Sequence, residues 1–286
     1  MASNQQKQVL PQQHQDRQPG FEYKMTPLPV SIHSHYQGSN KLTDKVAIIS
    51  GGDSGIGRAV AIHFAKEGAD IAIIYFDEDQ DANETKKLVE TEGRNCSLFR
   101  GDIASSSFSN EVVEKVIKEH GKIDIVVNNA AVQYPQQDFL NITDAQLEKT
   151  FQINIFGYFY LTRAALPHLK EGNVIINTSS ITAFHGNETL IDYASTKGAI
   201  TTFTKSLAKS LATQGIRVNS VAPGPIWTPL IPASFDENQV STFGSDTELA
   251  RPGEPAEVAP AYVYLASEDA SYITGQTIHV NGGTII

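Results

Sequence analysis

Short runs of β-branched apolar residues alternate with longer amphipathic segments along this chain from Lys45 onward. "KVAIIS" (45–50) is apolar throughout its middle and stops at glycines, as a strand buried on both faces does. "RAVAIHFAKEG" (58–68) has helical periodicity and ends at Gly68. Further strands are expected in "DIAIIYF" (70–76), "CSLFRGD" (96–102), "IDIVVNNA" (123–130), "NVIINTSS" (173–180), "IRVNSVAPG" (216–224) and "QTIHVNGG" (276–283). Helices are expected between them, over 83–92, 107–120, 143–169, 193–214 and 255–266. A capping box of Thr143 and Gln146 should open the longest stretch. About seven strands alternating with helices, and no internal repeat, predict an α/β domain: one doubly wound parallel sheet with helices on both faces.

The 286 residues, 40% apolar and 19% charged, are enough for one such core. Residues 44–286 are assigned to it. Residues 1–43 differ: seven of the first twenty are Gln, and prolines stand at 11, 19, 27 and 29. Such a segment buries too little apolar surface to offset its ordering entropy. It is expected to be an arm, either flexible or docked through "FEYKMTPLP" on a neighbouring subunit. A net charge of −10 argues against nucleic acid as a partner. Cys96 is the lone cysteine, which rules out an intrachain disulfide and fits a reducing compartment. With neither a signal-peptide pattern nor 18 consecutive apolar residues, the expectation is a cytoplasmic protein without a membrane partner.

"SGGDSGIG" (50–57) joins the first strand to the first helix. Gly51, Gly55 and Gly57 let a backbone approach a pyrophosphate, and the helix N-terminus adds N–H donors and partial positive charge. Glycines also serve plain turns, but this turn follows the first apolar strand and opens a helix, as dinucleotide binding requires. Ser50, Asp53, Ser54 and Ile56 complete it. The second strand runs into "YFDEDQ", with no Arg or Lys between Asp70 and Thr85. Asp77, twenty residues past Gly57, is placed to bond the adenosine ribose and to repel a 2′-phosphate. That favours NAD, with NADP as the alternative. Glu78, Asp79 and Asp81 read as a solvated acidic loop.

Tyr193 and Lys197 stand one helical turn apart in "DYASTKGAI". Alone the pair is an ordinary surface pair. Ser180 lies thirteen residues earlier at a strand end, Asn154 sits in the preceding helix, and Asn128-Asn129-Ala130 end the strand before that. In a parallel sheet these strand ends meet at the carboxyl edge, where ligands bind. Together with the glycine turn, Asp102-Ile103, and Pro223-Gly224 followed by Thr228, they resemble the compact short-chain dehydrogenase/reductase family, from Ser50 to Gly283. The arm ahead of "GGDSGIG" is similar to a bacterial general-stress and glucose-dehydrogenase-like subgroup. Ser50 replaces the family's usual Thr, and Ala131 stands where a Gly is common.

The resemblance implies a Rossmann-type fold, a nicotinamide cofactor, no metal, and hydride transfer between the cofactor and a secondary alcohol or carbonyl. Tyr193 is then the acid/base. A phenol titrates near ~10, so it needs help near neutral pH, and the Lys197 ammonium and the positive nicotinamide ring are expected to lower its pKa. Ser180 would donate to the substrate oxygen, Lys197 would bond the nicotinamide ribose, and Asn154 would hold a relay water. Ser179 reads as a strand-end residue. Asp102 and Ile103 are expected at the adenine, Asn129 and Ala130 along the cofactor, and Pro223, Gly224, Ile226 and Thr228 near the nicotinamide or a phosphate. Helix capping is the alternative for Asp102 and Thr228. Residues 226–250 are expected to form a substrate lid, with Trp227, Leu230, Ile231 and Phe235 lining it and His185, Gln133 and Tyr134 nearby. With no Arg or Lys between Arg217 and Arg251, a neutral small-molecule alcohol or carbonyl suits the lid, a sugar or a steroid-like ring among them. A silent NAD(H)-binding sensor is the rival reading. The resemblance also implies a homotetramer, built on "FQINIFGYFYL", the Tyr193 helix and the last strand.

Overall fold

A computed structural model of the chain describes residues 7–285. Seven strands form one parallel sheet: β1 (Val46–Ser50), β2 (Asp70–Tyr75), β3 (Cys96–Arg100), β4 (Ile125–Asn128), β5 (Val174–Thr178), β6 (Arg217–Pro223) and β7 (Thr277–Val280). Their order is β3-β2-β1-β4-β5-β6-β7. The chain leaves β1 toward β2 and later returns to its other side with β4, so the crevice for a ligand opens above the carboxyl ends of β1 and β4.

The main helices are α1 (Gly55–Lys66), α2 (Asp79–Thr91), α3 (Ser106–His120), α4 (Asp144–Phe151) and α5 (Gly157–Ala165), then α6 (Thr182–His185), α7 (Ile191–Leu211), α8 (Glu237–Thr242) and α9 (Pro255–Ala266). They cover both faces. One core lies between the sheet and α1 and α9, and the other lies under α3, α5 and α7. Among the described residues no helix is long and apolar enough to cross a membrane.

Three local expectations change. The long helix expected over 143–169 is interrupted by a π-helical turn, Gln152–Phe156, which carries Asn154; such turns tend to occur at functional sites. Thr143 caps α4 by accepting from the Gln146 N–H, but Gln146 does not reach back. Its amide bonds Gln136, the Tyr134 carbonyl and Asp192 instead, so the capping box is only half formed. The acidic stretch after β2 is not a solvated loop. α2 begins at Asp79, where carboxylates favour a helix N-terminus, and Glu78 and Asp81 are buried against arginines.

The largest difference is the arm. Residues 7–43, expected to be flexible or to lie on a neighbour, run along their own chain. The Val9 N–H donates to the Ser241 carbonyl and the Gln15 N–H to the Pro232 carbonyl, both at 2.8 Å. Leu10 and Met25 share a small core with Trp227, Ile231 and Val240. Further on, Tyr36 donates to Glu67 at the end of α1 at 2.6 Å. A few well-placed apolar and charged groups order a segment whose overall composition argues against order.

Candidate active site

The glycine turn is braced from below. Ser50 Oγ, fully buried, accepts from the Asn129 and Ala130 N–H groups at 3.0 and 3.2 Å and ties the turn to β4. Asn129 Nδ2 donates to the Gly51 carbonyl at 3.1 Å. Gly55 has φ +52°, a left-handed conformation that favours glycine. A Cβ on Gly57 would stand 1.8 Å from the Gly51 carbonyl oxygen, so only glycine lets α1 start this close to the turn.

The arm braces the turn from outside. Glu22, buried, accepts from the Gly55 N–H at 2.6 Å and pairs with Arg58. Arg58 also donates to Thr85 Oγ1 at 2.8 Å, to the Asp53 carbonyl at 3.1 Å and to Asp81 at 3.3 Å. Burial pushes Glu22 up to about 7, with Arg58 pulling it back, and pushes Asp53 up to about 6, opposed by its hydrogen bond with Ser54.

Across the crevice, Tyr193, Lys197 and Ser180 converge. Ser180 lines the cavity beside Tyr193, and its hydroxyl favours the ionised phenol. Thr182 donates to Ser180 Oγ through its N–H (3.1 Å) and its hydroxyl (3.0 Å), which leaves the Ser180 proton free to point into the cavity. Lys197 Nζ is 5.3 Å from the Tyr193 ring centre and donates to the Thr178 carbonyl at 2.9 Å. Ser179 is occupied elsewhere: its hydroxyl meets the Lys197 carbonyl and Thr201 of α7.

In the protein alone, the Lys197 ammonium does not offset the desolvation of Tyr193. Burial pushes it up to about 12, only partly offset by Ser180, and burial pushes Lys197 down to about 7. Both groups sit in a low-dielectric wall, where desolvation outweighs a charge 5 Å away, so the protein's own groups do not by themselves ionise the phenol. Asn154 is buried, and its amide is already engaged. Oδ1 accepts from the Val132 N–H and Nδ2 donates to the Val132 carbonyl, both at 2.9 Å, with Thr196 Oγ1 a further 3.2 Å acceptor. The side chain clamps the loop after β4 to α7.

A cavity of about 810 Å³ runs from the ends of β2 and β3 past the glycine turn to Tyr193. Gly51, Asp53, Ser54, Gly55, Ile56, Asp102, Ile103, Asn129, Ala130, Ser180, Tyr193, Lys197, Pro223, Gly224, Ile226 and Thr228 all line it. Ser50, Gly57 and Asn154 stand behind it as supports. Asp102 accepts from the Ala104 N–H, while Ser105 is the residue that caps α3. Asp77 is the exception among the cofactor candidates. It does not line the cavity, because Arg17 of the arm pairs with it. The ground for preferring NAD, that no cation stands near, therefore fails in three dimensions. Trp227 also misses the cavity: it is buried against the arm and donates to the Pro27 carbonyl at 2.9 Å. Leu230, Ile231, Phe235, His185 and Gln133 line the cavity, and Tyr134 does not.

Sequence reading missed Arg17, Gln18, Pro19, Gly20 and Glu22. No local pattern marks them, since partners such as Arg58 for Glu22 and Gln133 for Gln18 lie 36 and 115 positions away.

The cavity has the length, the glycine cradle and the helix N-terminus that a dinucleotide needs, and the residues present fit one. Fold and site together define a dinucleotide-binding oxidoreductase built on a Rossmann-type sheet. A family model described as enoyl-(acyl carrier protein) reductase matches residues 51–284. General stress protein 39 of Bacillus subtilis is 57% identical, covering 97% of each chain, so the likeness includes most of the arm. Glucose and ribitol dehydrogenase of Daucus carota is 48% identical, again covering 97% of each. A short-chain dehydrogenase from Burkholderia cenocepacia, solved with NADP, superposes with a TM-score of 0.80 at 29% identity, covering 85% of this chain and 98% of that one. The chain belongs to the short-chain dehydrogenase/reductase family.

Proposed function

We propose that this oxidoreductase transfers hydride between NADP(H) and a neutral secondary alcohol or carbonyl compound, with Tyr193 as acid/base. The observation that carries the reading is the meeting of Ser180, Tyr193 and Lys197 in the same cavity as the glycine turn. The nicotinamide, when bound, supplies or accepts the hydride. Ser180 donates to the substrate oxygen and orients the carbonyl. Tyr193 gives that oxygen its proton in reduction and takes it back in oxidation. Lys197, whose ammonium lies 5.3 Å from the Tyr193 ring centre, favours the phenolate left behind. Asn154 positions Val132 and α7 through its amide.

Residues 226–250 serve as the substrate lid in this reading, with Leu230, Ile231 and Phe235 as its apolar inner side. The lid has no cation, and Lys149 reaches the cavity from elsewhere. Gln133, Asn187 and Gln239 add amides to the wall, which suits a polyhydroxy or aldehyde substrate. The sugar-alcohol name of the carrot relative agrees with that class.

A panel of sugars, polyols, secondary alcohols and aldehydes with NAD(H) or NADP(H) tests the proposal. Tyr193→Phe should lower turnover by about 10²–10⁴ while cofactor binding persists. A substrate that Tyr193→Phe turns over at the wild-type rate would overturn the assignment, and turnover confined to acyl thioesters would overturn the substrate class.

A further inference from the structure

Two consecutive residues in the loop after β4 have both their backbone groups held by a side-chain amide. Asn154 accepts from the Val132 N–H and donates to the Val132 carbonyl. Gln18 of the arm does the same for the next residue. Its Oε1 accepts from the Gln133 N–H at 3.0 Å, and its Nε2 donates to the Gln133 carbonyl. The same Nε2 lies 3.3 Å from both the Ala233 carbonyl and Ser234 Oγ of the lid. Ser234 Oγ in turn donates to the Leu230 carbonyl at 2.6 Å. Two residues past Gln18, the arm packs so closely on the lid that a Cβ on Gly20 would stand 2.5 Å from the Pro229 carbonyl oxygen. Gln18 thus joins the arm, the lid and the loop after β4 at the cavity, and all three segments line it.

With its backbone fixed, Gln133 keeps one free polar group. The residue lines the cavity and is only 4% exposed, yet its side-chain amide makes no hydrogen bond among the described residues. Neither end of that amide is sealed off by protein, so both stay open to a ligand. An amide this deep is costly unless something fills its donor and acceptor positions. A hydroxyl both donates and accepts, so it can meet either end. Holding the Gln133 backbone beforehand lowers the ordering entropy lost when a ligand binds there.

We propose that Gln18 of the arm is a positioning residue for the substrate site, presenting the Gln133 amide to a hydroxyl of a polyhydroxy substrate. The proposal rests on the hydride-transfer reading above. Steady-state kinetics of the full chain compare polyols with secondary alcohols of the same carbon skeleton that carry a single hydroxyl, in wild type, Gln18→Met, Gln133→Met and the double variant. Wild type should favour the polyol. Gln133→Met should lower kcat/KM for the polyol about tenfold relative to the simple alcohol, mostly through KM, as loss of one substrate hydrogen bond does. Gln18→Met should move the same ratio in the same direction by about threefold or more. The double variant should move it no further than Gln133→Met alone, because Gln18 acts through Gln133. NADP⁺ affinity, read by calorimetry, should hold in all three. Gln18→Ala carries the comparison if Gln18→Met does not fold. A wild type indifferent to the extra hydroxyls, or an unchanged ratio in Gln133→Met, takes the amide out of the substrate site. An unmoved ratio in Gln18→Met, a loss shared equally by both substrates, or losses that add in the double variant reduce Gln18 to an arm fastener. Any of these results overturns the proposal and leaves hydride transfer standing, whereas a wild type that turns over neither class of alcohol sinks both.

Discussion

Lys197 carries a physical conflict. Its ammonium is needed beside Tyr193, yet the side chain is almost wholly buried and burial pushes its pKa from the usual 10.5 to about 7. Between pH 7 and 10.5 the unfolded chain binds this proton and the folded chain releases it. By linkage, the folded state gains stability as pH rises through that window, and the full penalty of burying the charge is felt below it. Lys197→Met removes the titration. The melting temperature of wild type minus that of Lys197→Met should therefore climb by several degrees between pH 7 and 10, and a flat difference would show that the buried amine is solvated after all. Lys197→Met should also cut turnover steeply, because Tyr193, held near 12, loses its neighbouring ammonium.

At the scale of elements, the arm and α1 form one unit. Three buried carboxyls, Glu22, Asp53 and Asp81, surround a single guanidinium, Arg58. Burial raises all three carboxyl pKa values, Arg58 pulls each back, and the like charges of the neighbouring carboxyls add a smaller rise for Glu22 and Asp53. Glu22→Ala strips the Gly55 N–H of its acceptor and leaves Arg58 short of a partner. Breaking a buried pair this way costs about 3–5 kcal/mol, less here to the extent that Asp81 compensates. Glu22→Gln keeps an acceptor for Gly55 and should lose far less. Urea titrations check this, and equal destabilisation by the two substitutions would show that charge rather than the hydrogen bond matters. The π-helical turn in the α4–α5 run was equally hidden from sequence: nothing local in "FQINIFGYFYL" marks it, and it carries Asn154, whose Oδ1 accepts from the Val132 N–H.

For the whole molecule, the exposed apolar surface decides the expectation. Phe156 and Phe159 on the α4–α5 run are 44% and 49% exposed, and Phe159 lies 4.3 Å from the Phe203 ring on α7. Exposed aromatic rings of this kind suit a protein interface. We expect a homotetramer, so light scattering should return four times the chain mass and Phe159→Asp should lower it. A wild-type monomer would contradict the expectation.

The sheet, its helices and most of the cavity wall were legible in the sequence. Strand periodicity, glycine stops and the Ser180–Tyr193–Lys197 spacing depend on neighbours within a turn or at successive strand ends, and a doubly wound topology brings those ends together whatever the details. Charge and burial at the site were not legible. Whether Asp77 faces a ribose or an arginine, whether Glu78 is solvated, and whether Trp227 lines a pocket or anchors an arm all depend on residues 9–27 folding back over the domain. Those contacts join residues far apart in sequence, and pKa values follow from the dielectric and the neighbours that only the packed chain supplies.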